Sequence, residues 1–176
     1  MQQGTRHAPP RPGLIGLALE LAILAIEAYR KEKGLRDLFD QKKGVVAHTI
    51  VDGKDIFGVN SKSDAYTSAD RAAAEKLRET LIKKYPALSS GDNIGQMPRN
   101  AIFHAETTVL LRAARQNGGT LAGQTMTVYV DADRCNNCDA ILPYVGLELG
   151  NPIVTFVDAK AINDYDSGWQ IDQVGE

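Results

Sequence analysis

The spacing of apolar residues predicts a long first helix followed by a β-hairpin. Residues 14–33 carry apolar side chains around most of a helical circumference, and Gly34 is placed to end that helix. Residues 44–51 are then rich in β-branched side chains, the Asp52-Gly53 pair favours a tight turn, and residues 56–59 resume an apolar run. We therefore expect two consecutive strands joined by a tight turn.

A capping pattern predicts the second helix. Thr67 and Asp70 have capping-box spacing, and Pro86 ends the helix that follows them. The apolar face of this helix is formed by Ala74, Leu77, Leu81 and Tyr85. The next loop, residues 86–100, is long and rich in Gly, Ser, Asn and Pro, and loops of that length are usually either functional or disordered.

The remaining pattern alternates helices and strands. We expect a helix over residues 103–116, a strand over 125–130, a helix over 135–149 and a strand over 152–157. Because a helix joins the last two strands, they should pair in parallel. The order therefore predicts an α/β fold with a mixed sheet covered by helices.

The composition is that of a soluble globular protein. The 176 residues are 43% hydrophobic and 24% charged, and a chain of this length mostly holds one compact domain. Residues 1–13, with three prolines and two glycines, are expected to form a linker, 14–43 an N-terminal helical extension and 44–176 the main domain. The apolar run at 14–26 is too short to span a membrane, and we find no signal peptide.

Charge is distributed unevenly along the chain. The formal net charge is −2, which gives no overall positive field for nucleic acid. Residues 1–88 carry 15 basic and 11 acidic side chains, a charge of +4, whereas residues 89–176 carry 5 and 11, a charge of −6. A bound polyanion would therefore be held mainly by the first half, although solvation of helix faces is the more ordinary role of such charges.

Two short motifs carry the candidate chemistry. His104-Ala105-Glu106 stands at the start of one predicted helix, and the only two cysteines, Cys135 and Cys138, stand at the start of another. A catalytic zinc takes three protein ligands and keeps one position open for water, and one His with two thiolates is such a set. We expect His104, Cys135 and Cys138 to bind zinc and Glu106 to move protons beside it.

The residues of the two motifs also allow other interpretations. Taken singly, His104 could be structural, and Glu106 could be an acid favoured at a helix N-terminus. A thioredoxin-like redox pair would explain the cysteines but not the His-x-Glu motif. A structural zinc would need a fourth ligand, and only His7 and His48 remain as further histidines. A non-catalytic zinc or redox module that binds a partner stays open as the alternative of another class.

His-Ala-Glu followed by Cys-x-x-Cys resembles the signature of the zinc-dependent cytidine deaminase superfamily. The resemblance implies a three-layer sandwich around a mixed sheet of five strands, or four clear ones. It also implies one zinc per chain on His104, Cys135 and Cys138, with Glu106 as general acid and base. Arg134 replaces the usual proline before the first cysteine, which argues against the branches that act on free nucleosides or edit tRNA.

Within that superfamily the chain is most similar to the bacterial deaminase toxins. The resemblance rests on the hairpin that ends in Phe57-Gly58-Val59-Asn60-Ser61, on the helix that ends at Pro86 and on the His104 segment. It implies a monomeric domain that deaminates cytosine to uracil in DNA, preferably single-stranded. It further implies a cognate immunity protein and delivery by a bacterial secretion system into the cytoplasm of a target cell. Deamination of RNA or of a free nucleoside remains an alternative.

Five residues are predicted to contact the substrate. Asn60 is expected to bind the sugar of the target nucleotide, although it could also be only a turn residue. Tyr66 and Phe103 could stack on a base, with core packing the stronger expectation for Phe103. Ala105 lies between the predicted ligand and the predicted acid. Arg134 is expected near the base 5′ to the target, unless it belongs to a solvated loop.

Overall fold

The computed structural model describes residues 12–35, 44–89, 101–132 and 136–158. Its elements follow the predicted order, and the described ranges also contain a short 3₁₀ turn at Pro86–Ser89. The helices and strands are α1 (Pro12–Lys33), β1 (Val46–Val51), β2 (Lys54–Val59), α2 (Ser68–Lys84), α3 (Ala105–Gln116), β3 (Thr125–Val130), α4 (Asn136–Glu148) and β4 (Ile153–Val157).

The described residues form one four-stranded mixed sheet in the order β2-β1-β3-β4. β1 pairs antiparallel with both β2 and β3, whereas β3 and β4 are parallel. The helical connection between the last two strands is the reason for that parallel pairing. The predicted α/β fold with parallel final strands is confirmed, with four strands in the described ranges.

Local sequence signals explain the hairpin and the second helix. Asp52 and Gly53 have φ values of 51° and 71°, as a tight two-residue hairpin turn requires. At the start of α2, the Thr67 hydroxyl accepts from the Asp70 N–H at 3.2 Å, and the Asp70 carboxylate accepts from the Thr67 N–H at 2.8 Å. The predicted capping box is therefore confirmed.

Two helix starts differ from the predicted positions. α1 begins at Pro12 rather than at residue 14. α3 begins at Ala105 rather than at residue 103, because His104 is the N-cap in extended conformation. The His104 N–H donates to the Ala101 carbonyl at 3.1 Å, and the Phe103 carbonyl accepts from the Ser61 N–H at 3.0 Å. These bonds place Phe103 and His104 in a loop just before the helix.

The hydrophobic core packs mainly between the sheet and helices α2, α3 and α4. A smaller cluster of Ile26, Val46 and Val59 connects α1 to the sheet. α1 is also held by a buried ion pair between Arg30 and Asp131, the residue that follows β3. In the ranges that the structure describes, no helix has both the length and the apolar content needed to cross a membrane.

Candidate active site

The starts of α3 and α4 bring three of the predicted residues together. Nδ1 of His104 lies 3.0 Å from Sγ of Cys138, and the donor atoms of His104, Glu106 and Cys138 all lie within 4.8 Å of one another. Cys138 and Glu106 are buried, with 2% and 4% of their surface exposed. Residues 34 positions apart in the chain thus meet at one point in the fold.

The donor chemistry of this cluster fits a transition metal. Two atoms that bind one zinc ion at about 2.0–2.3 Å can be at most about 4.6 Å apart. The 3.0 Å separation of the His104 nitrogen and the Cys138 sulfur meets that limit. Imidazole and thiolate are ligands that zinc accepts, so His104 and Cys138 are suited to hold such an ion.

The backbone of His104 is fixed by the first turn of α3. Its carbonyl accepts from the Thr108 N–H at 3.0 Å and from the Thr108 hydroxyl at 2.8 Å. The side chain makes no capping bond to its own helix. The imidazole is consequently directed towards Cys138 instead of towards the helix end.

Gly58 sets the distance between β2 and α3. A β-carbon at this position would lie 2.4 Å from both the Ala105 carbonyl oxygen and the Val109 nitrogen, closer than real contacts allow. Both of those atoms belong to the backbone, which cannot move aside as a flexible side chain could. Only glycine therefore permits the close approach that places the start of α3 against the sheet.

An ion cluster around the buried Asp70 fixes α3 against α2. Asp70 accepts from Nε of Arg112 at 3.0 Å and from Nη2 of Arg112 at 2.5 Å, and also from Nη2 of Arg115 at 2.7 Å. Arg112 donates further to the carbonyls of Phe57 and Ala65 at 3.0 and 2.9 Å. One arginine of α3 thereby contacts α2, β2 and the loop after β2.

The environment of Asp70 favours its ionised form. Burial alone would raise the pKa of this carboxyl, but hydrogen bonds from Arg112, from the Thr67 backbone and from Arg115 outweigh burial and hold the pKa far below its ordinary value. Arg112 is held in its charged form in turn, since its hydrogen bonds to Asp70 and Tyr29 outweigh burial and raise its pKa. The cluster therefore stays charged at neutral pH.

Four of the predicted substrate contacts lie in two segments, the connection between β2 and α2 and the residues at the start of α3. Asn60 follows the last residue of β2, and its amide Oδ1 is buried with no hydrogen-bond partner among the described residues. The same holds for the hydroxyl of Tyr66, whose pKa is raised by burial and by Asp70, so it remains a donor at neutral pH. Phe103 is partly buried against the main core, and Ala105 is fully buried within it.

Two predicted residues lie outside the described part of the chain. Cys135 and Arg134 both belong to residues 133–135, which immediately precede α4. The role of Cys135 as a zinc ligand and that of Arg134 as a substrate contact therefore stay predictions.

Some contacts at the site were not predicted from the sequence. Thr67 and Asp70 were recognised as a capping pair, but the partners of Asp70 on α3 lie more than 40 positions away. Gly58 lies in the segment that supports the toxin resemblance, yet nothing in the local pattern marks its contact with α3. Arg71, whose guanidinium lies over the rings of Tyr66 and Phe103, also gave no sequence signal.

The comparison with known families agrees with this geometry. The profile of the MafB19-like deaminases matches residues 27–160, which is more than half of the chain and includes every predicted site residue. No curated protein and no solved structure matches the chain significantly. The chain belongs to the MafB19-like deaminase family, in the bacterial toxin branch of the cytidine deaminase-like superfamily.

Proposed function

We propose that this protein is a toxin domain that deaminates cytosine to uracil in single-stranded DNA. The observation that carries the proposal is the convergence of His104, Glu106 and Cys138, whose donor atoms lie within 4.8 Å of one another in a chain of a deaminase family. The overall reaction consumes one water and releases one ammonia for each cytosine converted.

We assign one zinc ion to His104, Cys135 and Cys138. The nitrogen and sulfur donors of His104 and Cys138 suit zinc by chemistry and by separation, and Cys135 completes a Cys-x-x-Cys spacing with Cys138. When bound, zinc lowers the pKa of a coordinated water from about 15.7 towards about 7, which makes a nucleophile available at neutral pH.

Glu106 has the proton-transfer role in this proposal. Its carboxylate accepts a proton from water while the water oxygen bonds to C4 of cytosine, and it passes the proton to ring nitrogen N3. Glu106 then takes the proton of the new C4 hydroxyl and delivers it to the exocyclic nitrogen, so that the C4–N bond breaks, ammonia leaves and the C4 carbonyl of uracil forms. Burial of Glu106 keeps competing solvent away from these transfers.

The surroundings of the cluster support a polynucleotide substrate. Arg134 stands where free-nucleoside and tRNA-editing relatives have proline. Asn60 and Tyr66 each carry a buried polar atom with no partner in the described structure, as expected of groups that bind a ligand. A single strand needs no duplex opening before its cytosine reaches a buried site.

The toxin assignment extends to partners and delivery. We propose that a cognate immunity protein covers the mouth of the active site, and that a bacterial secretion system delivers the domain into the cytoplasm of a target cell. Both proposals are supported by membership of the bacterial toxin branch. The domain is expected to act as a monomer.

The substrate proposal is tested with purified protein and four substrates side by side. Single-stranded DNA, double-stranded DNA, RNA and free cytidine are incubated with wild type and with Glu106→Ala, and uracil and ammonia are measured. We expect uracil mainly in single-stranded DNA, with none formed by the variant. Preferential conversion of RNA or cytidine would contradict the DNA assignment, and equal conversion by the variant would contradict the role of Glu106.

The same pair of proteins tests toxicity in cells. Expression in a strain that lacks uracil repair should produce C·G to T·A changes with wild type and not with Glu106→Ala. Equal toxicity and equal mutation spectra would reject the proposed activity.

A further inference from the structure

Arg71 joins two aromatic side chains from separate segments of the chain. It is exposed in the first turn of α2, and its guanidinium carbon lies 5.5 Å from the ring centroids of both Tyr66 and Phe103. Both distances fall within the about 6 Å over which a cation is attracted to a ring face. We call these three residues the arginine–aromatic cluster.

The arginine–aromatic cluster is fixed to the candidate active site. Phe103 immediately precedes His104, and its carbonyl accepts from the Ser61 N–H at 3.0 Å. Ser63 connects this segment to Tyr66, whose N–H donates to the Ser63 carbonyl at 3.1 Å. The guanidinium of Arg71 is thus held beside the residues that lead into His104.

Arg71 differs from the other arginines near α3 in its partners. Arg112 and Arg115 both donate to Asp70. In the described ranges no carboxylate lies within ion-pair distance of the Arg71 guanidinium. Two ring faces orient this guanidinium, while its planar fork of N–H donors remains suited to an oxyanion. An exposed, oriented cation of this kind matches the geometry of a phosphate group.

We propose that Arg71 binds a backbone phosphate of the single-stranded DNA next to the target nucleotide, with Tyr66 and Phe103 as positioning residues that hold the guanidinium. This inference rests on the proposed function, because it places a phosphate beside the cytosine that would react. It also changes the role of the two rings, since the face that each turns to Arg71 is not available to stack on a base.

Salt dependence distinguishes a phosphate contact from a structural role. Each phosphate of a single strand that a protein cation neutralises releases condensed counterions, which contributes about −0.7 to the slope of log K against log salt. Removal of Arg71 should therefore weaken binding about tenfold at low salt. It should also make the slope shallower by about 0.7.

The measurement uses a fluorescent single-stranded oligonucleotide containing one cytosine. Binding is followed by anisotropy over a range of NaCl concentrations in a Glu106→Gln background, so that the substrate is not consumed. Arg71→Ala should reduce both affinity and slope, and Arg71→Lys should keep the slope because it keeps the charge. An unchanged slope in Arg71→Ala would overturn the phosphate contact. A slope in Arg71→Lys as shallow as that of Arg71→Ala would overturn it too.

Lys83→Ala is the matched control. It removes one positive charge from the same helix twelve residues away, which is about 18 Å along the axis, and Lys83 is also exposed. We expect no change in slope from this variant. An equal decrease with Lys83→Ala would show a diffuse electrostatic effect and would also overturn the proposal.

The two proposals fail separately. If wild type forms no uracil in single-stranded DNA while binding depends on Arg71 as described, the proposed function fails and the phosphate site stands. If wild type deaminates single-stranded DNA while Arg71→Ala binds with unchanged slope, the phosphate site fails and the proposed function stands.

Discussion

Two buried carboxylates stabilise the two halves of the candidate site in different ways. Asp70 accepts from Arg112 and Arg115 and fixes α3, which follows His104. Asp131, the residue after β3, accepts from Arg30 and lies in the segment that leads to α4. Arg115 is 40% exposed, whereas Arg30 is only 4% exposed, so the first cluster borders solvent and the second does not.

This difference in surroundings gives the two carboxyls opposite pKa shifts. At Asp70, hydrogen bonds from two arginines and a backbone N–H outweigh burial and lower the pKa. At Asp131, burial outweighs the Val46 N–H and the single arginine, so the pKa is raised. A buried ion pair can lose more by desolvation than it gains by attraction. The first cluster therefore stabilises the fold as a charged unit, and the second does so much less.

The largest expected effect comes from Asp70→Asn. The substitution leaves two arginines without their carboxylate, Arg112 partly buried and Arg115 exposed, and should lower the free energy of unfolding by about 3 kcal/mol, the lower end for buried pairs because both arginines reach solvent. Urea denaturation of wild type and variant measures this loss. Lys84→Ala, which breaks an exposed pair with Glu148, should change the midpoint little and serves as the control. A loss at Asp70 no larger than that of the control would contradict the role of the cluster.

A smaller loss is expected where β2 touches α3. Gly58→Ala should cost about 1–3 kcal/mol, because the added carbon must separate two backbones and move the start of α3. Gly146→Ala is the matched control, since an added carbon there meets nothing within 4 Å in helix α4. This second variant should be neutral or slightly stabilising. Equal stabilities of the two variants in urea would show that the Gly58 contact is not restrictive.

Local features of this fold could be predicted from the sequence, whereas contacts between distant segments could not. The hairpin turn at Asp52-Gly53 and the capping box at Thr67 depend on neighbours in the chain, and both were predicted correctly. The partners of Asp70 and the contact of Gly58 depend on which helix packs beside which strand. No local pattern encodes those contacts, so they became visible only in the folded structure.

Substitution of the second carboxyl should have a weaker effect. Asp131→Asn replaces a carboxyl whose raised pKa shows that the fold disfavours its charge, and the amide can still accept from the Val46 N–H. We expect a smaller loss of stability in urea than for Asp70→Asn, because one arginine rather than two loses its carboxylate and that arginine still donates to the Gly44 carbonyl. A loss as large as that of Asp70→Asn would show that both clusters contribute equally.

The smallest expected effect is the pH dependence of the stability difference between wild type and each Asn variant. Its sign differs between Asp70 and Asp131. As the pH falls through 3.8, the ordinary carboxyl pKa, unfolded Asp70 binds its proton before folded Asp70 does. Wild type therefore loses stability relative to Asp70→Asn. Above 3.8, folded Asp131 binds its proton first, so wild type gains stability relative to Asp131→Asn as the pH falls from neutral towards 3.8. Urea titrations at several pH values measure both trends, and trends of the same sign would contradict the contrast.

Chemistry explains why one part of the candidate site could be predicted from the sequence and another could not. The proximity of His104, Glu106 and Cys138 could be predicted because few residue types bind zinc or transfer protons, and their spacing is restricted. Arg71 could not be found in this way, because an exposed arginine on a helix is ordinary in sequence. Its two ring contacts bring together residues 66, 71 and 103, and only the fold places them side by side.

The most direct test of the central claim combines metal content with product formation. Purified wild type and Glu106→Gln are analysed for zinc by mass spectrometry and for uracil formation in single-stranded DNA. We predict about one zinc per chain in both proteins, with uracil formed only by wild type. Absence of zinc from folded wild type, or equal uracil formation by the two proteins, would contradict the account.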